Sequence, residues 1–231
     1  MVDQTLRIGF VLFPKVTQLD FTGPLQVLSR LPGAETHIAA KTTAPIETDA
    51  VLTLNPSCAF EDCPPLDVLC VPGGFGVDDA IRDNALISFV ARQAENARYV
   101  TSVCTGAFVL GAAGLLRGKR ATTHWAYHDD LALVGATPIR ERVVRDGNLF
   151  TGGGVTAGID FAFTLAAEIA GEAVAQSIQL GLEYDPRPPF DSGAPDRAAP
   201  AIKERMNEFY AERTTGFREQ LKALARDASD A

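Results

Sequence analysis

The sequence predicts an α/β fold, a three-layer sandwich in which helices cover both faces of a mostly parallel sheet. Two observations support this prediction. Short apolar runs rich in β-branched and aromatic residues end at proline or glycine, as buried strands do. Segments with helical periodicity separate these runs, and strands that alternate with helices form βαβ units whose parallel sheet is buried on both faces.

The first half of the chain supplies the first of these units. Residues 6–13 form a β-rich run that ends at Pro14, and residues 20–31 follow as a helix, with Thr22 as its cap and Pro24 near its first turn. The short strand at 51–54 is expected to leave the main sheet. The other elements predicted here are strands at 36–40, 68–71 and 99–103 and a helix at 84–98.

The second half continues the alternation. A helix follows Cys104 and stops at Gly118, and "DGN" at 146–148 is a good hairpin turn between two short strands. The glycine-rich "TGGGVTAG" opens a buried helix. The remaining elements predicted here are an extended segment at 120–125 and helices at 127–134 and 172–182.

The end of the chain differs in composition. Residues 185–200, "DPRPPFDSGAPDRAAP", are proline-rich and are predicted to be irregular. They lead into a helix, and we expect the α/β domain over residues 1–184. Residues 185–231 should form a proline-rich arm and a helix that packs on the same domain or on a dimer partner. The apolar residues predicted to share one face of this helix are Ile202, Met206, Phe209 and Tyr210.

Composition and charge exclude several classes of partner. The chain has 231 residues, of which 46% are hydrophobic and 22% are charged, as in ordinary globular domains. Its formal net charge of −8, without a basic cluster, favours neither nucleic acid nor a membrane surface as a partner. The apolar run at 6–13 is too short to span a membrane and lacks a signal-peptide cleavage pattern, so we expect a cytoplasmic protein.

The cysteine and histidine spacings do not match those of zinc sites, so no metal site is expected. In a reducing cytoplasm the cysteines should be free thiols. Three of them, Cys58, Cys63 and Cys70, are expected to be structural.

The fourth cysteine, Cys104, lies where a predicted strand meets a predicted helix. Small residues two positions away on either side, Ser102 and Gly106, permit the sharp turn of a nucleophile elbow. The carboxyl edge of a parallel sheet is where ligands bind, and the helix N-terminus should lower the pKa of the thiol. The alternative is that Cys104 is a small hydrophobic side chain filling the core.

Two other strand ends supply groups that could work with this thiol. "PGGFG" offers the backbone N–H groups of Gly73 and Gly74 to a developing negative charge, although it could be an ordinary loop. Asp20 follows the first strand and could shuttle a proton, with its pKa raised by burial and by a nearby thiolate. Asp20 could equally be a helix cap.

Four motifs occur in an informative order: Asp20 followed by "TGP", then "PGGFG", then "TSVCTGAFVLGAAGLLRGKRATTHWAYH", then "RVVRDGNLFTGGGVTAGIDFAF". This order resembles the ThiJ/PfpI superfamily, which has a flavodoxin-like fold of the class I glutamine amidotransferase kind. The resemblance runs from residue 6 to about residue 183. Together with "LEYDPRPPF", these motifs are most similar to the branch that hydrates isocyanides.

The resemblance implies a role for each matching residue. Cys104 would be the nucleophile and Asp20 its acid/base partner, in a reaction that turns an isocyanide and water into an N-substituted formamide through a thioimidate. Thr105 would lie beside the thiol and Val155 would line the pocket. The loop at 73–74 would stabilise charge. The family also implies a homodimer and no cofactor.

Differences between this sequence and other branches of the superfamily narrow the range of expected activities. Protease-like members carry a histidine directly after the cysteine, and Thr105 at that position counts against peptide hydrolysis. The redox-stress and glyoxalase branch has glutamate where this chain has Asp20. The segment after residue 183 is too short for the DNA-binding module of the AraC-type regulators. Two alternatives stay open: a glyoxalase- or deglycase-like enzyme on small dicarbonyls, and a sensor in which Cys104 is oxidised.

Several polar and aromatic residues near these motifs are ambiguous. His124 could complete a Cys-His-Asp triad, but we expect a structural or dimer-facing residue because Asp20 can move the proton. Trp125 and Tyr127 are expected to be core or interface aromatics. Asp160 is either a buried hydrogen-bonding carboxylate or a side chain packed along its helix.

Overall fold

The regular elements are close to those that the sequence predicts. The computed structural model describes residues 5–227. Residues 1–4 of the predicted α/β domain and residues 228–231 of the predicted C-terminal segment lie outside this range. In chain order the strands are β1 (Leu6–Val11), β2 (Ala34–Ala40), β3 (Ile46–Glu47), β4 (Thr53–Leu54), β5 (Cys58–Ala59), β6 (Val68–Val71), β7 (Tyr99–Val103), β8 (Arg120–Ala121), β9 (Thr137–Pro138), β10 (Val143–Asp146) and β11 (Leu149–Gly152).

Seven of these strands form the central sheet, in the order β10-β11-β7-β6-β1-β2-β5. Every neighbouring pair is parallel except β10 and β11, which form the predicted antiparallel hairpin. The chain leaves β1 toward β2 on one side and later returns to β6 on the other. This reversal creates the crevice at the carboxyl edge where ligands bind in open α/β sheets. The predicted excursion is confirmed, because β4 pairs with β3 in a small separate sheet.

Helices cover both faces of this sheet. They are α1 (Gln18–Leu28), α2 (Val77–Ala80), α3 (Asn84–Ala94), α4 (Gly106–Ala112), a 3-10 helix (Trp125–Val134), α5 (Ala157–Ala170), α6 (Glu172–Gly181) and α7 (Pro200–Asp227). The first layer contains α1, α5 and α6, which pack on one another, and the opposite layer contains α2, α3 and α4. The 3-10 helix packs on α4, and α7 packs on the 3-10 helix. The predicted three-layer α/β sandwich is confirmed.

The start of α1 differs from the prediction. Thr22 was expected to cap this helix, but α1 begins at Gln18 with Thr17 in extended conformation at the cap position. The Thr22 hydroxyl instead donates to Gln18 Oε1 at 2.9 Å from within the helix. Because the helix starts earlier, Asp20 lies in its first turn and is 1% exposed.

The helices α4 and α7 also differ from the prediction. The helix after Cys104 ends at Ala112 rather than near Leu116, and Gly114 then adopts a left-handed φ of +77°. Of the residues predicted to share an apolar face of the C-terminal helix, Ile202 and Phe209 are 49% and 51% exposed in the single chain. The residues that bury α7 lie further along it and include Phe217 and Leu221, 1% and 0% exposed. Within residues 5–227, no helix has the length and apolar character needed to cross a membrane.

Candidate active site

Three consecutive strands of the sheet place the predicted site residues at one edge. Cys104 directly follows β7, Gly73 follows β6 by two residues, and Asp20 lies in the helix after β1. The strands β1, β6 and β7 are parallel neighbours, so their carboxyl ends meet at the same edge. The structure therefore brings Cys104, Asp20 and the glycine loop together, as the sequence predicts.

Cys104 has the geometry of a nucleophile elbow. Its φ of +56° lies in the left-handed region, which L-residues with a Cβ rarely adopt and which is a form of strain found at functional sites. Its N–H donates to the carbonyls of Gly152 and Gly153, and its carbonyl accepts from the Thr123 hydroxyl at 2.6 Å. A Cβ at Gly106 would lie 2.2 Å from the Val71 carbonyl oxygen, so only glycine allows the turn to pack against the end of the neighbouring strand β6.

Asp20 is a buried carboxyl with one satisfied oxygen. Oδ2 accepts from the Gly73 N–H at 3.0 Å, whereas Oδ1 is buried and has no hydrogen-bond partner within residues 5–227. Burial raises the pKa of Asp20 to about 7, against the lowering effects of the Gly73 N–H and the Cys104 thiol. The charge of Asp49 raises this pKa further. A carboxyl poised near neutral pH suits proton transfer in either direction.

The thiol of Cys104 behaves differently from the prediction. The sequence predicts a lowered pKa, but burial and the Asp20 charge raise the pKa of Cys104 well above its ordinary value. The backbone N–H groups of Thr105 and Val155 interact with the sulfur and act in the opposite direction. They are outweighed because Cys104 is 5% exposed and its nearest charge is negative. The resting site therefore holds a thiol beside a carboxyl that ionises first.

The glycine loop after β6 holds the other groups in place. The Gly74 N–H donates to Thr105 Oγ1 at 3.0 Å, and the Gly73 N–H is used by Asp20. Both donors that the sequence assigns to a developing charge are thus occupied by side chains of the site. The N–H groups that face the sulfur are instead those of Thr105 and Val155. Val155 is brought there by the glycine-rich turn before α5.

His124 and Asp160 lie among other partners. The His124 ring accepts from the Ala126 N–H at 3.3 Å and packs on the Tyr210 ring with centroids 5.2 Å apart. Burial lowers the pKa of His124 to about 4, so the ring is neutral near pH 7. Asp160 is bound by Arg142 and accepts from the Tyr184 hydroxyl at 2.8 Å. The contacts described for both residues are with side chains and backbone groups other than Cys104 and Asp20.

Residues that the sequence analysis did not assign to the site form one wall of a small cavity beside Thr105. Its volume is about 30 Å³, room for a group of about the size of water. Tyr127 was expected to be a core or interface aromatic, and the C-terminal helix was expected to make only packing contacts. The seven-residue spacing of Tyr210 and Phe217 is the one signal that could have placed α7 against the domain. The cavity is lined by Gly74, Phe75, Val77, Asp78, Thr105, Tyr127, Arg213 and Phe217.

The fold and this corner define a flavodoxin-like α/β protein whose buried cysteine sits on a nucleophile elbow at the carboxyl edge of the sheet. The model of the DJ-1/PfpI family matches residues 6–168. The chain belongs to the DJ-1/PfpI family, and the family predicted from the motifs is confirmed.

Three known proteins show the range of similarity. The chain is 61% identical over 203 residues to isonitrile hydratase from Pseudomonas putida, which covers 88% of this chain and 89% of that protein. The crystal structure of a ThiJ/PfpI family protein from Pseudomonas syringae matches this chain with a TM-score of 0.91 at 42% identity. The match covers 96% of this chain and 91% of the Pseudomonas syringae chain. The HTH-type transcriptional regulator GbdR from Pseudomonas aeruginosa is 28% identical over 188 residues, which cover 77% of this chain and 50% of the regulator.

Proposed function

We propose that this protein is an isonitrile hydratase, which adds water to an isocyanide and releases an N-substituted formamide. The observation that carries the proposal is the buried pair of Cys104 and Asp20 at the elbow, with Thr105 in place of a histidine beside the thiol. The high identity to the Pseudomonas putida isonitrile hydratase over most of both chains supports the same reaction. The cavity beside Thr105 suits a small linear head group such as an isocyanide.

In the first half of the proposed reaction, Asp20 works as a base and then as an acid. The ionised carboxyl takes the thiol proton as the sulfur attacks the terminal carbon of the isocyanide. Asp20 then gives this proton to the same carbon, which leaves a thioimidate on Cys104. The N–H groups of Thr105 and Val155 stabilise the sulfur while it is charged.

In the second half, Asp20 activates water. Once ionised again, the carboxyl accepts a proton from a water molecule that adds to the thioimidate carbon. Asp20 Oδ1, the buried oxygen without a partner in the described chain, is the atom available for this water. The adduct nitrogen takes up one of the two water protons, and collapse of the adduct breaks the C–S bond, releases the formamide and leaves the other proton on the sulfur. Every step uses this chain's own residues and water.

The test is a time course with an aryl isocyanide. We expect formamide from the wild type, none from Cys104→Ala, and a rate lowered by roughly 10²–10⁴-fold in Asp20→Asn, the range of general acid–base catalysis. Cys58→Ala is the matched control, because Cys58 is a free, half-buried thiol outside the site. Undiminished turnover by Cys104→Ala, or methylglyoxal as the only substrate consumed, would refute the proposal.

We also propose that residues 1–184 form the α/β domain and that residues 185–231 complete it and contribute to a homodimer. The support is that α7 places Arg213 and Phe217 in the cavity wall and leaves Ile202 and Phe209, nearer the start of the helix, half exposed. Exposed apolar residues on one helix are typical of an interface. Light scattering tests the assembly, and a monomer at micromolar concentration would contradict it.

A cytoplasmic location is proposed on the state of the cysteines. Cys58, Cys63, Cys70 and Cys104 are all free thiols. A reducing compartment keeps thiols in this form, and the proposed chemistry requires that Cys104 stay reduced. Cell fractionation with an antibody to the protein tests this location.

A further inference from the structure

Tyr127 is a largely buried residue whose hydroxyl has no protein partner in the described chain. The residue is 8% exposed, and its hydroxyl makes no hydrogen bond to any residue of the described range 5–227. The hydroxyl is not one of the fully buried polar atoms without a partner in the described chain, so it is accessible to water or to a ligand. The ring itself packs edge-on against Phe108 and Phe217, with centroids 6.3 and 5.6 Å away. A fixed ring with an accessible hydroxyl at the wall of the cavity beside Thr105 can donate a hydrogen bond to a ligand bound there.

The position of Tyr127 favours the substrate as that ligand. Tyr127 and Thr105 line the same cavity, and Thr105 is the neighbour of the nucleophile. Burial, with contributions from Asp78, Tyr210 and Cys104, raises the pKa of Tyr127 to about 12 against a lowering by Arg213. The phenol therefore stays protonated near pH 7 and can only offer its proton. The sulfur charge acts on this phenol, so the two groups lie within electrostatic range of one another.

The proposed reaction needs a proton donor for the substrate nitrogen, and Asp20 cannot fill this role. The product carries a hydrogen on nitrogen, whereas the thioimidate carries none. In the second half Asp20 is taking a proton from water on the carbon, so a different group must serve the nitrogen at that moment. A neutral phenol is suitable, because the nitrogen becomes strongly basic as water adds.

We propose that Tyr127 is a further catalytic residue, which donates a hydrogen bond and then a proton to the substrate nitrogen during hydration of the thioimidate. This inference rests on the proposed function. Water forms the C–O bond and gives one proton to Asp20, while the C=N double bond becomes a C–N single bond and nitrogen takes the Tyr127 proton. Asp20 then returns a proton to the phenolate through water. The hydroxyl of the adduct gives its proton to the carboxylate as the C–S bond breaks, and Asp20 passes it to the sulfur.

The test separates the two halves of the reaction by intact-mass spectrometry. Tyr127→Phe keeps the ring and removes only the hydroxyl. Mixed with an aryl isocyanide, it should form the Cys104 adduct, which has the added mass of one isocyanide, and should release formamide at least 10²-fold more slowly than the wild type. Tyr99→Phe is the matched control, because the Tyr99 hydroxyl contacts Glu168 at the opposite end of the strand that leads to Cys104.

Each contrary result has a distinct meaning. Formamide release by Tyr127→Phe at the wild-type rate overturns the role of Tyr127 and leaves the proposed function standing. Adduct accumulation in Tyr210→Phe instead of Tyr127→Phe overturns the assignment to Tyr127. A wild-type protein that produces neither adduct nor formamide overturns the proposed function itself. If Tyr127→Phe does not fold by circular dichroism, 3-fluorotyrosine at position 127 replaces it, and an unchanged pH dependence of formamide release overturns the role.

Discussion

The carboxylate of Asp20 raises the pKa of the Cys104 thiol, and the thiol in turn lowers the pKa of Asp20. The two side chains are buried side by side, so the charge of one is felt strongly by the other. Of the two, the carboxyl has the lower pKa. The pair therefore rests as a thiol and a carboxyl that ionises near neutral pH, and its apparent pKa values belong to the pair.

The first prediction concerns the pH dependence of catalysis. The first step requires an ionised Asp20 to take the thiol proton, so kcat/KM for an aryl isocyanide should rise with pH through about 7, the pKa of Asp20. Initial rates measured between pH 5 and pH 9 test this. A rate that is flat across this range, or that falls between pH 6 and pH 8, would contradict the assignment.

The second prediction concerns stability. The folded-state pKa of Asp20 is raised from 3.8 to about 7, so its contribution to stability is fully present below the unfolded value and is lost as the pH rises through about 7. Asp20→Asn has no carboxyl to ionise and does not lose this stability. The free energy of unfolding of the variant, relative to that of the wild type, should therefore increase as the pH rises from 3.8 to about 7. Urea titrations at pH 4.5 and pH 8 measure the difference. The exposed Asp129, changed to Asn, should show no such gain, and equal behaviour of the two variants would disprove the cause.

The third prediction tests the glycine loop. A Cβ at Gly73 would lie 2.6 Å from both the backbone nitrogen and the hydroxyl of Thr105 and 2.9 Å from Asp20 Oδ2. Gly73→Ala should therefore displace the acid and lower kcat by roughly 10²-fold, since a shift of about 1 Å in a catalytic group has this effect. Gly181→Ala serves as the control because nothing lies within 4 Å of a Cβ there. Similar kcat values for both variants would show that the loop tolerates a side chain.

The fourth prediction concerns the docking of α7. Phe217 is 1% exposed and packs edge-on against Phe108 with ring centroids 4.9 Å apart. Phe217→Ala should lower the free energy of unfolding by about 3–5 kcal/mol through lost burial and the cavity left behind. Denaturant unfolding measures this change, with the exposed Glu208→Ala on the same helix as the control. A loss below about 1 kcal/mol would indicate that α7 contributes little to the fold.

The fifth prediction concerns the size of the substrate. The cavity is small, and we expect the substituent to pass the contact in its wall between Arg213 and Phe75, where the guanidinium lies 4.0 Å from the ring centroid. Arg213→Ala should raise the ratio of kcat/KM for an aryl isocyanide to kcat/KM for methyl isocyanide by about tenfold. This factor corresponds to the loss of a cation–π contact worth about 1–2 kcal/mol. Arg205→Ala, on the same helix, should leave this ratio unchanged. An unchanged ratio in Arg213→Ala would place the entry route elsewhere.

Much of the fold could be predicted because its signals are local. Strands β6 and β7 are short apolar runs bounded by polar residues or turns, and their limits were predicted to the residue. The hairpin at 146–148 follows from "DGN", since Gly147 has the left-handed φ of +65° that such turns require. Helix ends were less accurate. The start of α1 depends on how the chain leaves β1, which no single residue type specifies.

The sequence alone determined the order of strands and helices, the elbow at Cys104 and the family, because spacing, small residues and motif order are visible along the chain. Only the tertiary structure decided the protonation of the site. A pKa depends on burial and on charges in space, so the helix after Cys104 suggested a thiolate, whereas Asp20 and the dry surroundings favour a thiol. The wall of the cavity is likewise decided only by the tertiary structure. Tyr127 and Phe217 are ninety residues apart and meet only because α7 folds back on the domain.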